Sequence, residues 1–359
     1  MNQNPSAVAY TEIYAADGPA AVAYFRRYGF TEVATATGAD QHSTLLEAGP
    51  VRVIVTTPAA RTYGPVSEWL ARHGDAVADI ALYRDDVEQV LERASAAGLG
   101  VHRPGHGGPA VVQGLGALRH TVLDLIDVDP GDPLVPGRAW SPVQGGRRDL
   151  SDEGRAEPLR EVDHLAVCLP PGELAATAEL YRRVWDMEVV DSQRIEAGPT
   201  AMDSLVLRDA LGVTYVMAEP DPTRAPGQVD EFVKGHGAAG IQHIAWRVDD
   251  LVEAVTGFAR RGVEFPPAPP ATYYEDLAAR FAGTPGLPAQ LPDLQATGIV
   301  LDVDHGGTLL QIFTRAPHQR GLLFYELIER RGATGFGERN VVALFEARER
   351  DLARLAAAS

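Results

Sequence analysis

Hydrophobic and polar residues alternate in short runs along the second half of the chain, and one longer run has helical spacing. Alternating runs at 163–167, 187–190, 204–207 and 213–217 are typical of strands with one buried face. The run at 174–184 has apolar residues three and four positions apart, which predicts an amphipathic helix. The predicted order of elements is therefore β-α-β-β-β.

The same order of elements recurs along the chain. It starts again at 242–248, with a helix at 251–261 and strands at 298–302 and 309–313. In the first half, strands at 10–14 and 78–82 each precede a predicted helix, at 20–27 and 87–97. An internal repeat of this kind indicates duplicated modules.

Residues 128–161 are crowded with proline, glycine and charged residues, a composition that favours a linker over regular structure. The chain has 359 residues, a length for which two domains are the ordinary expectation. We therefore predict an α+β protein with an N-terminal domain at 1–150 and a C-terminal domain at 151–359.

Composition and charge exclude several classes of protein. A formal net charge of −17 argues against a surface for nucleic acid or an anionic membrane. The single cysteine, Cys168, excludes a disulfide framework within the chain and fits a reducing compartment. No secretory signal and no apolar run long enough to span a bilayer is visible in the sequence. These features predict a cytoplasmic protein.

Three residues in strand-like runs form the main candidate for chemistry: His164, His243 and Glu326. They are 79 and 83 residues apart, far too distant for a zinc site on one helix. Two imidazoles and one carboxylate on three strands are the ligand set of non-haem Fe(II) oxygenases, which leave the opposite coordination positions open. Taken singly, each histidine fits an ordinary hydrogen-bonded core residue better than a metal ligand, and it is the context recurring around all three residues that favours the metal site.

The first half carries different residues at the corresponding positions. Aligning the repeats places Tyr10 opposite His164 and Asp79 opposite His243. The N-terminal half is therefore predicted to lack a metal site and to contribute packing and subunit contacts. A homodimer formed through the N-terminal modules is the corresponding expectation for oligomeric state.

Five stretches of the second half carry a family resemblance, at 228–232, 240–245, 273–277, 309–314, and 324–331 with 335–340. Nearly the whole chain resembles the 4-hydroxyphenylpyruvate dioxygenase family of the vicinal oxygen chelate superfamily. The resemblance implies a vicinal oxygen chelate fold, with tandem βαβββ modules forming two open barrel-like domains. It also implies Fe(II) bound by His164, His243 and Glu326, with 4-hydroxyphenylpyruvate and O₂ as substrates.

The family has two branches, one forming homogentisate by ring hydroxylation and one forming 4-hydroxymandelate by benzylic hydroxylation. In the dioxygenase branch, the positions of Val216, Ala218 and Val341 typically carry Pro, Asn and Phe. The substitutions here, together with residues 304–307, resemble the synthase branch. We therefore predict oxidative decarboxylation and benzylic hydroxylation to 4-hydroxymandelate and CO₂. Neutral drift within a homogentisate-forming dioxygenase remains the alternative.

Further pocket residues follow from the resemblance or lie beside the ligands. Three amides are suited to orient the substrate carboxylate or a metal ligand: Gln228, Gln242 and Gln311. The family pattern adds Ser204, Phe313, Phe324, Phe336, Asn340 and Val341. For the three phenylalanines, ordinary core packing is the alternative, and for Ser204 an exposed hydroxyl on a strand. Glu329 and Arg330 are expected to point away from the metal.

Four further expectations follow from the sequence and the resemblance. Residues 342–358 have helical spacing and, by resemblance, form a helix that covers the pocket. His102, His106 and His120 are interpreted as loop or surface residues. Among functions of another class, a non-catalytic protein that sequesters small molecules also uses this fold. The resemblance further suggests arylglycine supply for a peptide antibiotic.

Overall fold

The computed structural model describes residues 7–59, 63–103, 109–125, 138–144, 159–283, 286–304, 306–317, 320, 322–337, 339–340 and 342–343. The predicted domain boundary at residue 150, the predicted C-terminal helix beyond residue 343, His106 and Val341 lie outside these residues.

The described residues of the first half form one sheet with three helices. Its elements are β1 (Val8–Tyr14), α1 (Gly18–Arg26), β2 (Thr31–Thr37), β3 (Gln41–Ala48), β4 (Val51–Pro58), α2 (Pro65–His73), β5 (Ala76–Arg84), α3 (Val87–Ala96), β6 (Val101–His102), β7 (Ala110–Leu115), β8 (Leu118–Asp124) and β9 (Trp140–Pro142). The sheet order is β6-β7-β8-β5-β1-β4-β3-β2-β9. Strand β9 lies inside the predicted linker at 128–161, so that expectation is wrong for residues 140–142.

In the second half, the part of the chain that the structure describes forms another sheet with five helices. Its elements are β10 (Glu161–Cys168), α4 (Leu174–Trp185), β11 (Glu188–Ala197), β12 (Thr200–Arg208), β13 (Thr214–Pro220), α5 (Gln228–His236), β14 (Gly240–Arg247), α6 (Leu251–Arg260), α7 (Ala271–Arg280), α8 (Leu287–Thr297), β15 (Val300–Val303), β16 (Thr308–Phe313) and β17 (Phe324–Arg331). The sheet order is β11-β12-β13-β10-β14-β17-β16-β15.

Each sheet consists of two β-α-β-β-β modules that meet at their first strands. Strands β1 and β5 pair antiparallel at the centre of the first sheet, and β10 and β14 pair antiparallel at the centre of the second. Each central strand also pairs in parallel with the last strand of its own module. Two curled sheets of this design confirm the predicted α+β vicinal oxygen chelate fold.

The strand register supports the alignment of the two halves. In the second sheet His164 pairs with Ala245, and Ala166 pairs with His243. In the first sheet Tyr10 pairs with Ala81, and Glu12 pairs with Asp79. Both strand pairs carry two register shifts at matching places, so even the irregularities of the sheet are duplicated.

The N-terminal counterpart of the candidate metal site is closed by a buried ion pair. Glu12 is fully buried and accepts two hydrogen bonds from Arg138, at 2.6 and 2.7 Å, and one from Thr56 at 2.6 Å. Asp79 accepts hydrogen bonds from the backbone and hydroxyl of Thr121. Burial raises the pKa of Asp79 to about 6. The two carboxylates are thus satisfied by protein groups.

His120 contributes to the contact between the two halves. This histidine of β8 is fully buried, against the expectation that it is a loop or surface residue, and its ring lies 5.0 Å from that of Trp185. Its Nε2 lies 3.0 Å from the Tyr215 hydroxyl and 3.3 Å from that of Tyr181. The sequence signal was weak because one histidine in an alternating strand has no evident partner.

Candidate metal centre

Three adjacent strands, β10, β14 and β17, bring the candidate ligands together. Ala245 of β14 pairs with His164 on one side and with Glu326 on the other. His243 lies two residues before Ala245, so the strand period of two turns its side chain to the same face. Ala245 itself is small and fully buried.

The donor atoms of these residues converge on one point. Glu326 Oε2 lies 3.2 Å from His164 Nε2 and 3.4 Å from His243 Nε2, and one donor atom from each residue falls within 4.8 Å of the others. Three convergent nitrogen and oxygen donors fit a metal ion with open coordination positions. These residues could therefore hold such an ion.

Two bulges between β10 and β14 lie directly beside His164 and His243 and change the direction of the neighbouring side chains. Asp163 is the extra residue between Val162 and His164, and Gln242 is the extra residue between Ile241 and His243. A bulge interrupts the alternation of side chains. The Asp163 carboxylate can therefore approach the adjacent ring, and its Oδ1 lies 2.9 Å from His164 Nδ1.

The electrostatics of the metal-free site differ between the two histidines. For His164, burial alone would lower the pKa, but the carboxylates of Glu326 and Asp163 raise it to about 9. For His243, burial dominates and lowers the pKa. For Glu326, burial would raise the pKa, but the two histidines hold it below its ordinary value. The two carboxylates thus favour positive charge at this position.

A chain of side-chain amides orients the carboxylate ligand. Gln311 Nε2 donates to Glu326 Oε1 at 3.2 Å, which leaves Oε2 directed at the histidines. Asn340 Nδ2 donates in turn to Gln311 Oε1 at 3.0 Å. The Tyr273 hydroxyl donates to Asn340 Oδ1 at 2.9 Å. Asn340 therefore acts on the centre through Gln311.

A cavity of about 500 Å³ opens beside the three candidate ligands. All predicted site residues except Asn340 and Val341 line it: His164, His243, Glu326, Ser204, Val216, Ala218, Gln228, Gln242, Gln311, Phe313, Phe324 and Phe336. Asn340 is buried behind Gln311, and Val341 lies outside the described residues. Val216 is paired with Ala166, and Ala218 with Cys168 and Ser204, so both face the cavity from β13.

The predicted aromatic residues contact the imidazoles as well as the cavity. The Phe324 ring is stacked on His243 with centroids 5.0 Å apart, and Phe313 meets His243 edge-on at 5.6 Å. Phe336 meets the His164 ring at 5.2 Å and an interplanar angle of 88°. These rings thereby support the orientation of the ligands and form an apolar wall.

Several lining residues were not expected from the sequence. They are Ala166, Val167, Cys168, Ile195, Met202, Val229, Thr314 and Gly337. Most are apolar members of strands, and their pattern does not distinguish a cavity wall from a packed core. Val229, Thr314 and Gly337 did carry a signal, because they belong to the stretches at 228–232, 309–314 and 335–340 that carry the resemblance.

The sequence predicted that Glu329 and Arg330 both point away from the metal, and this is correct for Glu329 and wrong for Arg330. Glu329 accepts a hydrogen bond from the backbone of Leu251 at the start of α6, away from the centre. Arg330 is four residues after Glu326, so it lies on the same face of β17. Its guanidinium makes two hydrogen bonds to Asp163, at 2.6 and 2.8 Å.

Comparison with known proteins agrees with the fold. Residues 161–291 match the family described as the Glyoxalase/Bleomycin resistance protein/Dioxygenase superfamily. A solved structure of a triple mutant of 4-hydroxymandelate synthase from Streptomyces coelicolor superposes with a TM-score of 0.81. It is 40% identical, and the match covers 97% of this chain and 99% of that one.

Curated relatives extend the match along most of the chain. The 4-hydroxyphenylpyruvate dioxygenase of Neurospora crassa is 32% identical over 80% of this chain and 72% of its own. That of Yarrowia lipolytica is 30% identical over 93% of this chain and 89% of its own. The chain belongs to the 4-hydroxyphenylpyruvate dioxygenase family. Within the described residues, no helix has the length and apolar character needed to cross a membrane.

Proposed function

We propose that this protein converts 4-hydroxyphenylpyruvate and O₂ into 4-hydroxymandelate and CO₂, with Fe(II) bound by His164, His243 and Glu326. The observation that carries the proposal is the convergence of these three donors at one end of a cavity with mainly apolar walls. Bound Fe(II) would be held by these three residues and would supply the oxygen chemistry.

The residues around the centre suit an aromatic α-keto acid. The rings of Phe313, Phe324 and Phe336 offer apolar surface to an aromatic ring. The amides of Gln228 and Gln242 line the same cavity and can donate to a carboxylate or carbonyl. A volume of about 500 Å³ lies within the ordinary range for small-molecule sites.

The choice of product depends on how the cavity walls orient the substrate. Val216 and Ala218 face the cavity from β13. Ala218 is smaller than the Asn typical of the dioxygenase branch and lacks its amide, and Val216 replaces a Pro. The space left by Ala218 supports a substrate orientation that presents the benzylic carbon to the centre. The 40% identity to a 4-hydroxymandelate synthase supports the same branch, against 32% and 30% for the two dioxygenases. Homogentisate formation is the second candidate.

The test is an aerobic incubation of the protein with Fe(II), ascorbate and 4-hydroxyphenylpyruvate. Because 4-hydroxymandelate and homogentisate are isomers, the products must be separated by chromatography and identified by NMR. We expect 4-hydroxymandelate as the main product and loss of all turnover when a chelator removes the metal. A matched control is the His164→Gln variant, which lacks one ligand.

The possible outcomes separate the alternatives. Homogentisate as the main product would reject the synthase assignment and retain the metal centre. A protein that binds iron and turns over nothing would reject 4-hydroxyphenylpyruvate as the substrate. A protein that binds no iron would favour the non-catalytic, small-molecule-binding function.

A further inference from the structure

We propose that Asp163 and Arg330 form a positioning pair for the metal ligand His164, fixing its ring orientation and holding Phe336 against it. The inference rests on the proposed metal site of His164, His243 and Glu326. Neither residue touches the cavity or offers a ligand atom to the centre, so their action would pass through His164 and Phe336.

The first contact joins Asp163 to the ligand. Asp163 Oδ1 lies 2.9 Å from His164 Nδ1, while the opposite nitrogen, Nε2, is directed at Glu326. A carboxylate at Nδ1 requires the proton on that nitrogen, which leaves Nε2 with a free lone pair for a metal. His243 differs, because its buried Nδ1 has no hydrogen-bond partner among the described residues. The orientation of His164 is thus fixed by a charged group and that of His243 by stacking on Phe324.

The second contact joins Arg330 to Asp163. The guanidinium donates to both carboxylate oxygens, and the side chains of Asp163 and Arg330 are only 7% and 15% exposed. A planar guanidinium that binds both oxygens fixes the plane of the carboxylate as well as its position. This arrangement holds Oδ1 at the imidazole.

The third contact extends the pair to the cavity wall. Arg330 Nη1 donates to the backbone oxygens of Gly335 at 2.7 Å and Ala333 at 3.3 Å. Its guanidinium lies 4.8 Å from the centroid of the Phe336 ring, which meets His164 edge-on. His164 therefore contacts Asp163, Asp163 contacts Arg330, and Arg330 contacts Phe336, which in turn contacts His164.

The duplicated N-terminal half supports the link between this pair and the metal ligand. By strand register Tyr10 corresponds to His164, and the bulged residue before it is Ala9 in place of Asp163. Thr121 corresponds to Glu326, and the residue four positions further is Leu125 in place of Arg330. The N-terminal half thus keeps the bulge but has no histidine at the position of His164. It also has no counterpart of Asp163 or Arg330.

The experiment measures metal binding without turnover. Metal-free protein is titrated with Co(II) against a competing chelator, for the wild type and for Asp163→Asn and Arg330→Met. Loss of such an outer contact typically weakens metal binding by about 10- to 100-fold, and we expect a loss of this size for both variants. Matched controls are Glu161→Gln, which removes the partner of Arg247 on the same strand pair, and Arg331→Met, which follows Arg330 on the opposite face.

A second readout reports on the imidazole itself. In the Zn(II)-loaded protein labelled with ¹⁵N-histidine, two-bond proton–nitrogen spectra distinguish the protonated ring nitrogen from the metal-bound one. We expect Nδ1 of His164 to be protonated in the wild type and in both controls. In Asp163→Asn we expect its signal to shift or broaden; the resonance is assigned by its absence from His164→Gln.

A double variant distinguishes a loss of metal binding caused by the missing pair from one caused by misfolding. Asp163→Asn with Arg330→Met removes both buried charges together, which usually preserves the fold. We expect it to fold and still to bind Co(II) weakly; wild-type affinity in this variant would overturn the proposal. Affinities within twofold of the wild type for both single variants would also overturn it. A wild type that binds neither Co(II) nor Zn(II) would instead reject the proposed metal site.

Discussion

Gly337 lies so close to Gln311 that a Cβ at position 337 would be 1.7 Å from Gln311 Oε1. Its φ of +77° is also a conformation that residues with a side chain rarely adopt. Since Gln311 donates to Glu326 and accepts from Asn340, the glycine lets the backbone approach the amide chain that orients the carboxylate. A backbone position thus determines the geometry of a candidate metal ligand.

Gly337→Ala is expected to displace the Gln311 amide and weaken metal binding. The positive φ alone costs roughly 1–2 kcal/mol of stability for a residue with a Cβ. The displaced amide should lower Co(II) affinity by about tenfold or more. The control is Gly98→Ala, where φ is +78° and nothing lies within 4 Å of the added Cβ. Gly98→Ala should lose a similar amount of stability from the positive φ and keep its metal affinity. A loss of metal affinity in both variants would contradict the role of the Gln311 amide.

Substitutions towards the dioxygenase pattern are expected to change the product. Ala218→Asn places an amide on the cavity wall, and Val341→Phe adds a ring at a position outside the described residues. A displacement of about 1 Å in the substrate can change a reaction channel by about 10²-fold. We expect a measurable fraction of homogentisate from the double variant, quantified by chromatography and NMR. Val189→Phe, on an exposed position of β11, is the control; an unchanged product ratio in the double variant would show that these positions do not select the product.

Breaking the ion pair between Glu12 and Arg138 in the N-terminal half should lower the free energy of unfolding. Arg138→Met removes the guanidinium that donates to the fully buried Glu12 carboxylate and leaves, among the described residues, only the longer ion pair to Arg119, at 3.6 Å. Removing one partner of a buried pair costs about 3–5 kcal/mol, and Glu12→Gln in the same chain should recover part of that loss. Urea unfolding measures the free energy of unfolding of the single and the double variant. Arg52→Met, whose partner Glu47 is about one-fifth exposed, should cost only about 0–1 kcal/mol. Equal costs for the two arginines would contradict the role of burial.

His120 is expected to make the folded protein sensitive to acid. Burial lowers its pKa to about 3, whereas an unfolded histidine titrates near 6.5. Between these values the unfolded chain binds the proton and the folded chain does not, so stability falls as the pH falls below about 6.5. From pH 8 to pH 5 this one residue should account for about 2 kcal/mol of the loss in unfolding free energy.

The measurement compares urea unfolding of the metal-free wild type and His120→Phe at several pH values. The variant loses the hydrogen bond to Tyr215 and should be less stable at pH 8, but its stability should depend less on pH. His102→Phe, at an exposed position of β6, should retain the wild-type dependence. Identical slopes for all three proteins would show that His120 is not the responsible group.

The hydrophobic pattern predicted much of the fold because a strand period of two and a helical period of 3.6 are local properties. It identified the repeated module and the strands of all three candidate ligands. It missed β9, because a three-residue edge strand within a proline-rich segment depends on pairing with β2. It also missed α7 and α8, which follow a proline-rich run; α8 even contains Pro292 inside the helix.

The sequence by itself determined the fold class, the duplication and the residue types at the candidate centre, since composition, periodicity and motif spacing are written along the chain. The tertiary structure alone decided which side chains reach those residues. By alternation, Asp163 should point away from the face that carries His164, and a bulge against β14 reverses this. Arg330 and Gln311 become partners of the ligands only through pairing between strands distant in sequence, because register is fixed by packing and not by local preference.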